Sequence, residues 1–354
     1  MYPLDTPAPW PTNQWYIAGF AQEVGREILA RTFLNRRIVL FRDENGTAHA
    51  LSGICPHRMM PLELGSLEGD RLICGYHGLA FDLTGACIAA PTAPTPPNCA
   101  LSQYPLREVG PLLWIWMGDP ALADRSPLPD QASIGIGQDG WLTQCVAHYD
   151  LGARYTLLID NLFDLSHLGF IHASIVGSGG IALIEPKIED SGERLVVSRV
   201  ATDFPVDGYH RFLFPQAGER ITTVLKSELL GIGLINAGGP VHDGPAADAP
   251  LLGHQNFIHG ITPATEHMTH YWIFMTRDFR LDDAGLSAAL AAQNEAVVAQ
   301  DRDALEAIER LLRSDVPLPQ EISMKPDAGA LRARLKLIQM IRNDQGATGA
   351  AVAA

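Results

Sequence analysis

The first third of the chain alternates short apolar runs with turn residues, a pattern that predicts short β-strands joined by hairpins. In "RRIVLFRDENGTAHALSG", residues 38–41 and 48–51 flank the turn signal Asn45-Gly46. A second hairpin is predicted around Thr84-Gly85, and a last strand over residues 112–117. These features indicate a small all-β domain whose loops project from hairpin ends.

Residues 118–140 are dense in Gly, Pro and Asp and mark a boundary. They contain Gly135-x-Gly137-x-x-Gly140, the spacing of a dinucleotide-binding fingerprint. That motif requires a strand before it and a helix after it. Here a proline-rich loop precedes it and a strand-like run follows, so we interpret it as part of a linker.

The remaining sequence mixes strand-like runs with helices. A short helix is predicted near residues 157–167, and a long one over 284–313, where apolar positions recur at helical spacing. A further amphipathic helix is predicted near 328–341. Strands with helices grouped late in the chain are typical of the α+β class. We expect an N-terminal domain over 1–120, a linker over 121–140, a second domain over 141–345 and a flexible tail over 346–354.

Composition and charge limit the classes of partner and the location that we expect. The chain has 354 residues, 47% of them apolar, and a net charge of −14, which disfavours nucleic acid and anionic membranes as partners. The N-terminal sequence has no secretory signal pattern, and apolar runs are too short to span a bilayer, so we expect a cytoplasmic protein. Five cysteines do not suggest a disulfide framework. Cys87, Cys99 and Cys145 are interpreted as packing residues.

Two cysteine–histidine pairs carry the first candidate chemistry. Cys55-x-His57 and Cys74-x-x-His77 supply two thiolates and two imidazoles. A structural zinc site could use these four ligands. The alternative is a Rieske [2Fe–2S] cluster, in which two histidines replace two cysteines on one iron. Zinc-binding cysteines usually pair with each other, whereas each pair here mixes the ligand types, which favours the cluster.

A second group lies in "DNLFDLSHLGFIH", which contains Asn161, Asp164, His167 and His172. Since the two histidines are five residues apart, the helix should bend or end between them. A lone histidine in such a stretch is more often a core residue than a ligand. Non-haem Fe(II) sites, however, use two histidines and one carboxylate. The long helix offers Asp301 and Asp303 as competing carboxylates.

Together these motifs resemble the Rieske non-haem iron oxygenases. The likeness rests on Cys-Pro-His-Arg, Cys-Gly-Tyr-His-Gly and the N-x-x-D-x-x-H-x4-H arrangement, and it extends over nearly the whole chain. Within the family, the chain is similar to oxygenase components of vanillate and dicamba O-demethylases and of toluenesulfonate methyl-monooxygenase. This implies an all-β Rieske domain joined to a helix-grip catalytic domain with a curved antiparallel sheet.

The resemblance also implies residue roles. Asp301 with Glu306 fits the family's final-helix motif and becomes the expected third iron ligand, although Gln300 stands where relatives often have Glu. Asp164 is expected to relay electrons to His167 from the cluster of a neighbouring subunit in a head-to-tail homotrimer.

The implied activity is that of a terminal oxygenase component using O₂. NADH and flavin act only through a separate reductase. We expect O-demethylation of a methoxylated aromatic acid such as vanillate, with release of formaldehyde. Hydroxylation of an aryl methyl group or an aromatic ring is the nearer alternative, and a Rieske electron carrier without oxygenase activity the more distant one.

Strand residues supply the remaining candidates. Asn236 and His259 are candidates to hydrogen-bond the substrate, although buried amides and histidines are also common in cores. His267-x-x-His270 resembles a metal pair, but residues three apart on a strand point to opposite faces. We therefore do not expect these two histidines to chelate one metal.

Overall fold

The computed structural model describes residues 4, 6, 8–176, 180–192 and 194–352. The chain divides into two compact units. The smaller comprises Thr12–Pro127 and Thr262–Glu266, and the larger contains Leu128–Ile261, the chain from His267 onward and the segment before Thr12. The division after Pro127 falls inside the predicted linker. The α+β class is confirmed.

The smaller unit is built of short antiparallel strands in three sheets, ordered β1-β10-β9, β2-β3-β4 and β5-β6-β7-β8. A short helix, α1 (Pro120–Ala123), follows the last strand. The strands are β1 (Trp15–Phe20), β2 (Leu29–Phe33), β3 (Arg36–Arg42), β4 (Ala48–Ser52), β5 (Ser66–Glu68), β6 (Arg71–Ile73), β7 (Ala80–Phe81), β8 (Cys87–Ala89), β9 (Leu106–Val109) and β10 (Leu112–Trp116).

Both predicted hairpins are confirmed. Gly46 and Gly85 each adopt φ +85°, the left-handed conformation that glycine tolerates in tight turns. Apolar side chains of β3, β4 and β6 build the core of this unit, and the buried Cys55 and Cys74 belong to it. Cys87 and Cys99 pack against the same core, as predicted.

The larger unit contains one seven-stranded antiparallel sheet, ordered β11-β17-β16-β15-β14-β13-β12. Its strands are β11 (Leu142–Leu151), β12 (Lys187–Ser191), β13 (Arg194–Pro205), β14 (Arg220–Gly231), β15 (Leu234–Asp243), β16 (Leu251–Thr265) and β17 (Met268–Arg277). Its helices are α2 (Tyr155–Phe163), α3 (Ala173–Val176), α4 (Gly208–Leu213), α5 (Ala284–Leu312) and α6 (Ala328–Val352).

Two helix boundaries differ from prediction. α2 ends at Phe163 because Asp164 leaves the helical conformation and its carboxylate accepts a hydrogen bond from the Ser166 amide, which starts a 3₁₀ turn over Leu165–Gly169. α6 continues to Val352, so residues 346–352 of the predicted flexible tail are helical. Residues 353–354 lie outside the described residues.

The glycine-rich segment before β11 is a turn and not a nucleotide-binding element. Gly135, Gly137 and Gly140 all have positive φ, and a 3₁₀ turn rather than a strand precedes them. A Cβ on Gly135 would lie 2.1 Å from the Trp141 ring, so the turn also needs glycine for space. No helix within the described ranges is both long and apolar enough to cross a membrane.

Candidate active site

Three separate segments bring the predicted iron ligands together. His167 lies in the 3₁₀ turn after α2, His172 directly precedes α3, and Asp301 comes from the middle of α5. Asp301 Oδ1 is 3.1 Å from His172 Nε2 and 3.6 Å from His167 Nε2. Two ligands about 2.1 Å from one metal ion and at right angles to each other are about 3 Å apart. The three donor atoms could therefore hold one ion.

The α5 helix explains why Asp301 and not Asp303 reaches this position. Its buried residues follow a three- and four-residue spacing that forms one face: Leu286, Leu290, Asn294, Val298, Asp301, Leu305 and Glu309. The side chain of Asp303 is 77% exposed on another face. Asp303 therefore cannot complete the site.

Hydrogen bonds on the far side of each ring set the orientation of both histidines. His172 Nδ1 donates to Gln300 Oε1 at 2.9 Å, and His167 Nδ1 donates to the backbone carbonyl of Asp164 at 2.5 Å. With the proton on Nδ1, each Nε2 presents a lone pair towards Asp301. Asn161 Nδ2 donates to Asp301 Oδ1 at 3.0 Å and holds the carboxylate. Such supporting contacts are typical of metal sites.

A cavity of about 510 Å³ opens on these three side chains. Its wall is mainly apolar and is formed by residues of α2, α4 and α5 and of the strands β14, β15 and β16. His259 lines it, as predicted. A cavity of this size, with few polar groups, suits a small organic substrate.

His259 is held by Tyr271, whose hydroxyl lies 2.6 Å from Nδ1. Burial lowers the pKa of His259 to about 4, so the ring is neutral at physiological pH. Burial raises the pKa of Tyr271 well above 10, so its hydroxyl keeps a proton that it can donate to Nδ1. In that tautomer, Nε2–H remains as a hydrogen-bond donor.

Asn236 does not line the cavity. In the β15–β16 register it pairs with Ile258, whereas His259 pairs with Ile235, so Asn236 and His259 project from opposite faces of the sheet. Asn236 is fully buried, and its Nδ2 lies 3.4 Å from Asn256 Oδ1. The structure therefore does not bring this candidate to the site.

Two amides that the sequence reading missed do line the cavity. Asn294 Oδ1 and Gln255 Oε1 are both buried and accept no hydrogen bond from the described residues. Asn294 lies on α5 two helical turns before Asp301, between the apolar Leu290 and Val298 of the buried face. The sequence signal that could have identified Asn294 is a polar residue at a core position of a predicted helix. Gln255 lies on β16 among similar strand residues and gave no such signal.

The two Cys–His loops of the smaller unit share one backbone geometry. The Cys55 amide donates to Met60 O and the Cys55 carbonyl accepts from Met59; Cys74 makes the same two bonds with Leu79 and Gly78. The fourth residue after each cysteine has positive φ, 56° at Met59 and 72° at Gly78. Two similar loops thus present their ligands together.

The side chains of these loops fit an iron–sulfur cluster. Cys55 and Cys74 are buried, and the His57 and His77 ring centroids are 4.5 Å apart. Burial raises the pKa of the Cys55 thiol to about 11, so a bound metal is needed to keep it as a thiolate. His77 Nδ1 is buried without a hydrogen-bond partner among the described residues, as expected of a ligand atom.

His267 lies in the turn before β17 and not on the strand, so the argument from opposite strand faces does not apply to it. His267 Nδ1 lies 2.8 Å from Glu309 Oε1, whereas His270 Nδ1 lies 2.7 Å from Asp150 Oδ1. The two rings have different partners and do not share a metal position.

Comparison with known families agrees with the geometry. The profile described as vanillate O-demethylase oxygenase C-terminal domain matches residues 151–343, more than half of the chain. The Rieske [2Fe-2S] domain profile matches residues 14–105.

Individual relatives cover almost the full chain. A putative toluene-4-sulfonate monooxygenase system iron-sulfur subunit of Comamonas testosteroni is 33% identical, covering 95% of this chain and 98% of its own. The oxygenase component of chloroacetanilide N-alkylformylase from Rhizorhabdus wittichii is 33% identical over 84% of this chain and 86% of its own.

Among solved structures, dicamba monooxygenase with non-heme iron and dicamba matches with a TM-score of 0.81 at 26% identity, over 96% of this chain and 99% of that one. The two predicted cofactors, a [2Fe–2S] cluster and a mononuclear iron, are confirmed. The chain belongs to the Rieske non-haem iron monooxygenases, and residues 151–343 belong to the domain family described as vanillate O-demethylase oxygenase C-terminal domain.

Proposed function

We propose that the chain is the terminal oxygenase of a multicomponent system that removes a methyl group from a methoxylated aromatic compound. The observation that carries this proposal is the convergence of His167, His172 and Asp301 on the mainly apolar cavity. The overall reaction converts a methoxyarene, O₂, NADH and a proton into a phenol, formaldehyde, NAD⁺ and water. One oxygen atom enters the methyl group, and the resulting hemiacetal breaks down to phenol and formaldehyde.

In this proposal His167, His172 and Asp301 hold the iron, and Cys55 and Cys74 with His57 and His77 hold the cluster. The cluster supplies single electrons and the iron binds and activates O₂. Hydrogen bonds with Gln300, Asn161 and the Asp164 carbonyl orient the three ligand side chains towards one metal position. A separate flavin-containing reductase takes the electrons from NADH and delivers them to the cluster, in keeping with relatives described as oxygenase components.

Electrons must also reach the mononuclear iron from a cluster. We propose that the Asp164 carboxylate connects His167 to the cluster of a neighbouring subunit in a head-to-tail trimer. Its support is the position of Asp164, half-buried and three residues before His167, whose Nδ1 bonds to the Asp164 backbone.

The cavity favours an uncharged methoxyarene over the aromatic acid expected from the sequence. Of the described residues that line it, none is Lys or Arg, and its acidic residues are Asp207 and Asp301. His210 is 2.7 Å from Asp207, and His259 is neutral, so neither supplies a free cation. An iron ion would add two positive charges, and Asp301 offsets one. A carboxylate remote from the reacting methyl group would still lack a charged partner, and burying an unpaired anion is costly.

Formaldehyde release tests both parts of the proposal. Iron-replete protein with NADH and a reductase of this family is mixed with matched pairs, such as vanillate and its methyl ester. We expect formaldehyde in proportion to the NADH and O₂ consumed, and a higher kcat/KM for the ester. Preference for the acid would refute the charge argument alone, and NADH consumption without formaldehyde from any methoxyarene would refute demethylation.

A second candidate is hydroxylation of an aryl methyl group, which uses the same metal sites. It is favoured by the relative named as part of a toluene-4-sulfonate monooxygenase system. A hydroxymethyl product without formaldehyde would identify it. A simple electron carrier would contain two irons per chain rather than three, so an iron assay distinguishes this hypothesis from an oxygenase.

A further inference from the structure

A second convergence of histidine and carboxylate side chains lies outside the catalytic site. His148 and Asp150 on the edge strand β11 meet His270 on β17, and we call these three residues the edge-strand triad. His270 Nδ1 is 2.7 Å from Asp150 Oδ1 and 3.2 Å from His148 Nε2. His148 Nε2 is 3.7 Å from Asp150 Oδ1.

The edge-strand triad and the catalytic cavity are on opposite faces of the sheet. Tyr271 faces the cavity side, since it bonds to His259, so its neighbour His270 faces the other side. Across the strand pair, Asp150 is opposite His270 and His148 is opposite Trp272. An ion held by the triad is therefore separate from the catalytic iron.

The three ligand atoms of the triad lie close enough together to share one cation. His270 Nδ1 is within hydrogen-bond distance of both Asp150 Oδ1 and His148 Nε2. A cation between the three atoms would take a lone pair from each. Ligands about 2.0–2.1 Å from a tetrahedral metal are about 3.3 Å apart, in the middle of the observed separations.

The surroundings hold the ligands in place and leave one side open. The Trp272 ring stacks on His148 with centroids 4.6 Å apart and an interplanar angle of 9°. His270 and Trp272 are buried, whereas the side chain of Asp150 is 62% exposed. The imidazoles are thus fixed by packing, and a metal ion can enter from solvent beside the carboxylate.

We propose that the edge-strand triad is a third metal site, which binds a divalent transition cation of the zinc class through two imidazoles, one carboxylate and solvent. Imidazole with carboxylate suits zinc among the available divalent ions. The bound ion would clamp β11 to β17. β11 ends one residue after Asp150, and the amide of Gly152 then bonds to Glu306 on α5 at 3.0 Å. The clamp therefore secures the strand that leads into the helix ahead of the iron ligands.

The test uses the protein with its cluster and iron in place, titrated with zinc against a chromophoric chelator while iron content is monitored. We expect one zinc per chain without loss of iron, and a rise in melting temperature. His148→Ala and the milder Asp150→Asn should each abolish both effects. His254→Ala is the matched control, since among the described residues His254 pairs with a single carboxylate, Asp278, at 2.6 Å, and the variant should bind zinc normally.

Zinc-edge X-ray absorption adds a readout of the ligands themselves. Two imidazoles on the zinc are expected in the unchanged protein. Absence of zinc binding, zinc uptake only with displacement of iron, or unaltered uptake by His148→Ala and Asp150→Asn would each overturn the proposal. The site is independent of the proposed function, because none of these outcomes depends on substrate turnover.

Discussion

The hydrogen bond from His172 to Gln300 allows a quantitative test of how the iron site is organised. Gln300→Leu removes the acceptor of a fully buried Nδ1–H. A buried donor without a partner costs about 1–3 kcal/mol. The metal-free ring escapes this cost by moving its proton to Nε2, where it faces Asp301. Iron binding must then reverse that change, so affinity should fall about 10- to 100-fold, the usual effect of losing such a support.

The assay is Fe(II) binding in competition with a chromophoric chelator, with the [2Fe–2S] cluster intact. Gln300→Glu restores an acceptor, and its charged carboxylate makes a stronger hydrogen bond, so affinity should equal or exceed that of the unchanged protein. Gln339→Leu makes the same replacement at an exposed position of α6 and controls for the loss of a glutamine. Unchanged affinity in Gln300→Leu would refute the proposed role of this bond.

Three further substitutions test other parts of the molecule. Gly75→Ala should cost the protein its Rieske cluster, seen as loss of the visible absorption and electron paramagnetic resonance signal, because a Cβ would lie 2.4 Å from a backbone carbonyl oxygen. Asp164→Asn should leave all three irons bound but slow turnover at least about 100-fold, the usual scale for losing one positioned catalytic group. Glu309→Gln should destabilise the larger unit by about 3 kcal/mol, measured by thermal unfolding, because it leaves Arg154 buried without its charged partner.

Each substitution has a control or a contrary outcome. Gly25→Ala meets nothing within 4 Å and should retain the cluster. Normal turnover in Asp164→Asn would refute the electron relay. Burial opposes ionisation of Glu309, but hydrogen bonds from Arg154 outweigh it and hold the pKa below the ordinary 4.5. The stabilisation by a carboxylate with a lowered pKa is present above pH 4.5 and lost as pH falls through the lowered value. Stability of Glu309→Gln should consequently converge with that of the unchanged protein in acid.

Features encoded within short stretches of sequence were predictable. The Asn45-Gly46 turn fixes its hairpin through two adjacent residues, and the cluster loops each carry their ligands within four residues. The choice of Asp301 over Asp303 came from the family resemblance and not from periodicity, and the buried face of α5 agrees with it. The end of α2 was misplaced because the hydrogen bond from the Ser166 amide to the Asp164 carboxylate outweighs the helical pattern.

Features that depend on strand register were not predictable. Asn236 and His259 both belong to strands of the cavity sheet, yet a register that pairs Asn236 with Ile258 sends their side chains to opposite faces. A shift of one residue would reverse this result. The same holds for His148 and His270, which are distant in sequence and meet only through the β11–β17 pairing. Alternation within one strand cannot supply this information.

The position of the iron ligands depends on contacts that are themselves far from the iron. Arg154 immediately precedes α2, and its side chain makes two hydrogen bonds to Glu309, at 2.6 and 2.8 Å, while Glu306 accepts from the Gly152 amide. Both acceptors lie on α5 within two to three turns of Asp301. The start of the helix that leads to His167 is thus fixed against the helix that carries Asp301. Since misplacing a ligand by a fraction of its bond length weakens metal binding, we expect Glu309→Gln to lower the affinity for iron as well as the stability of this unit.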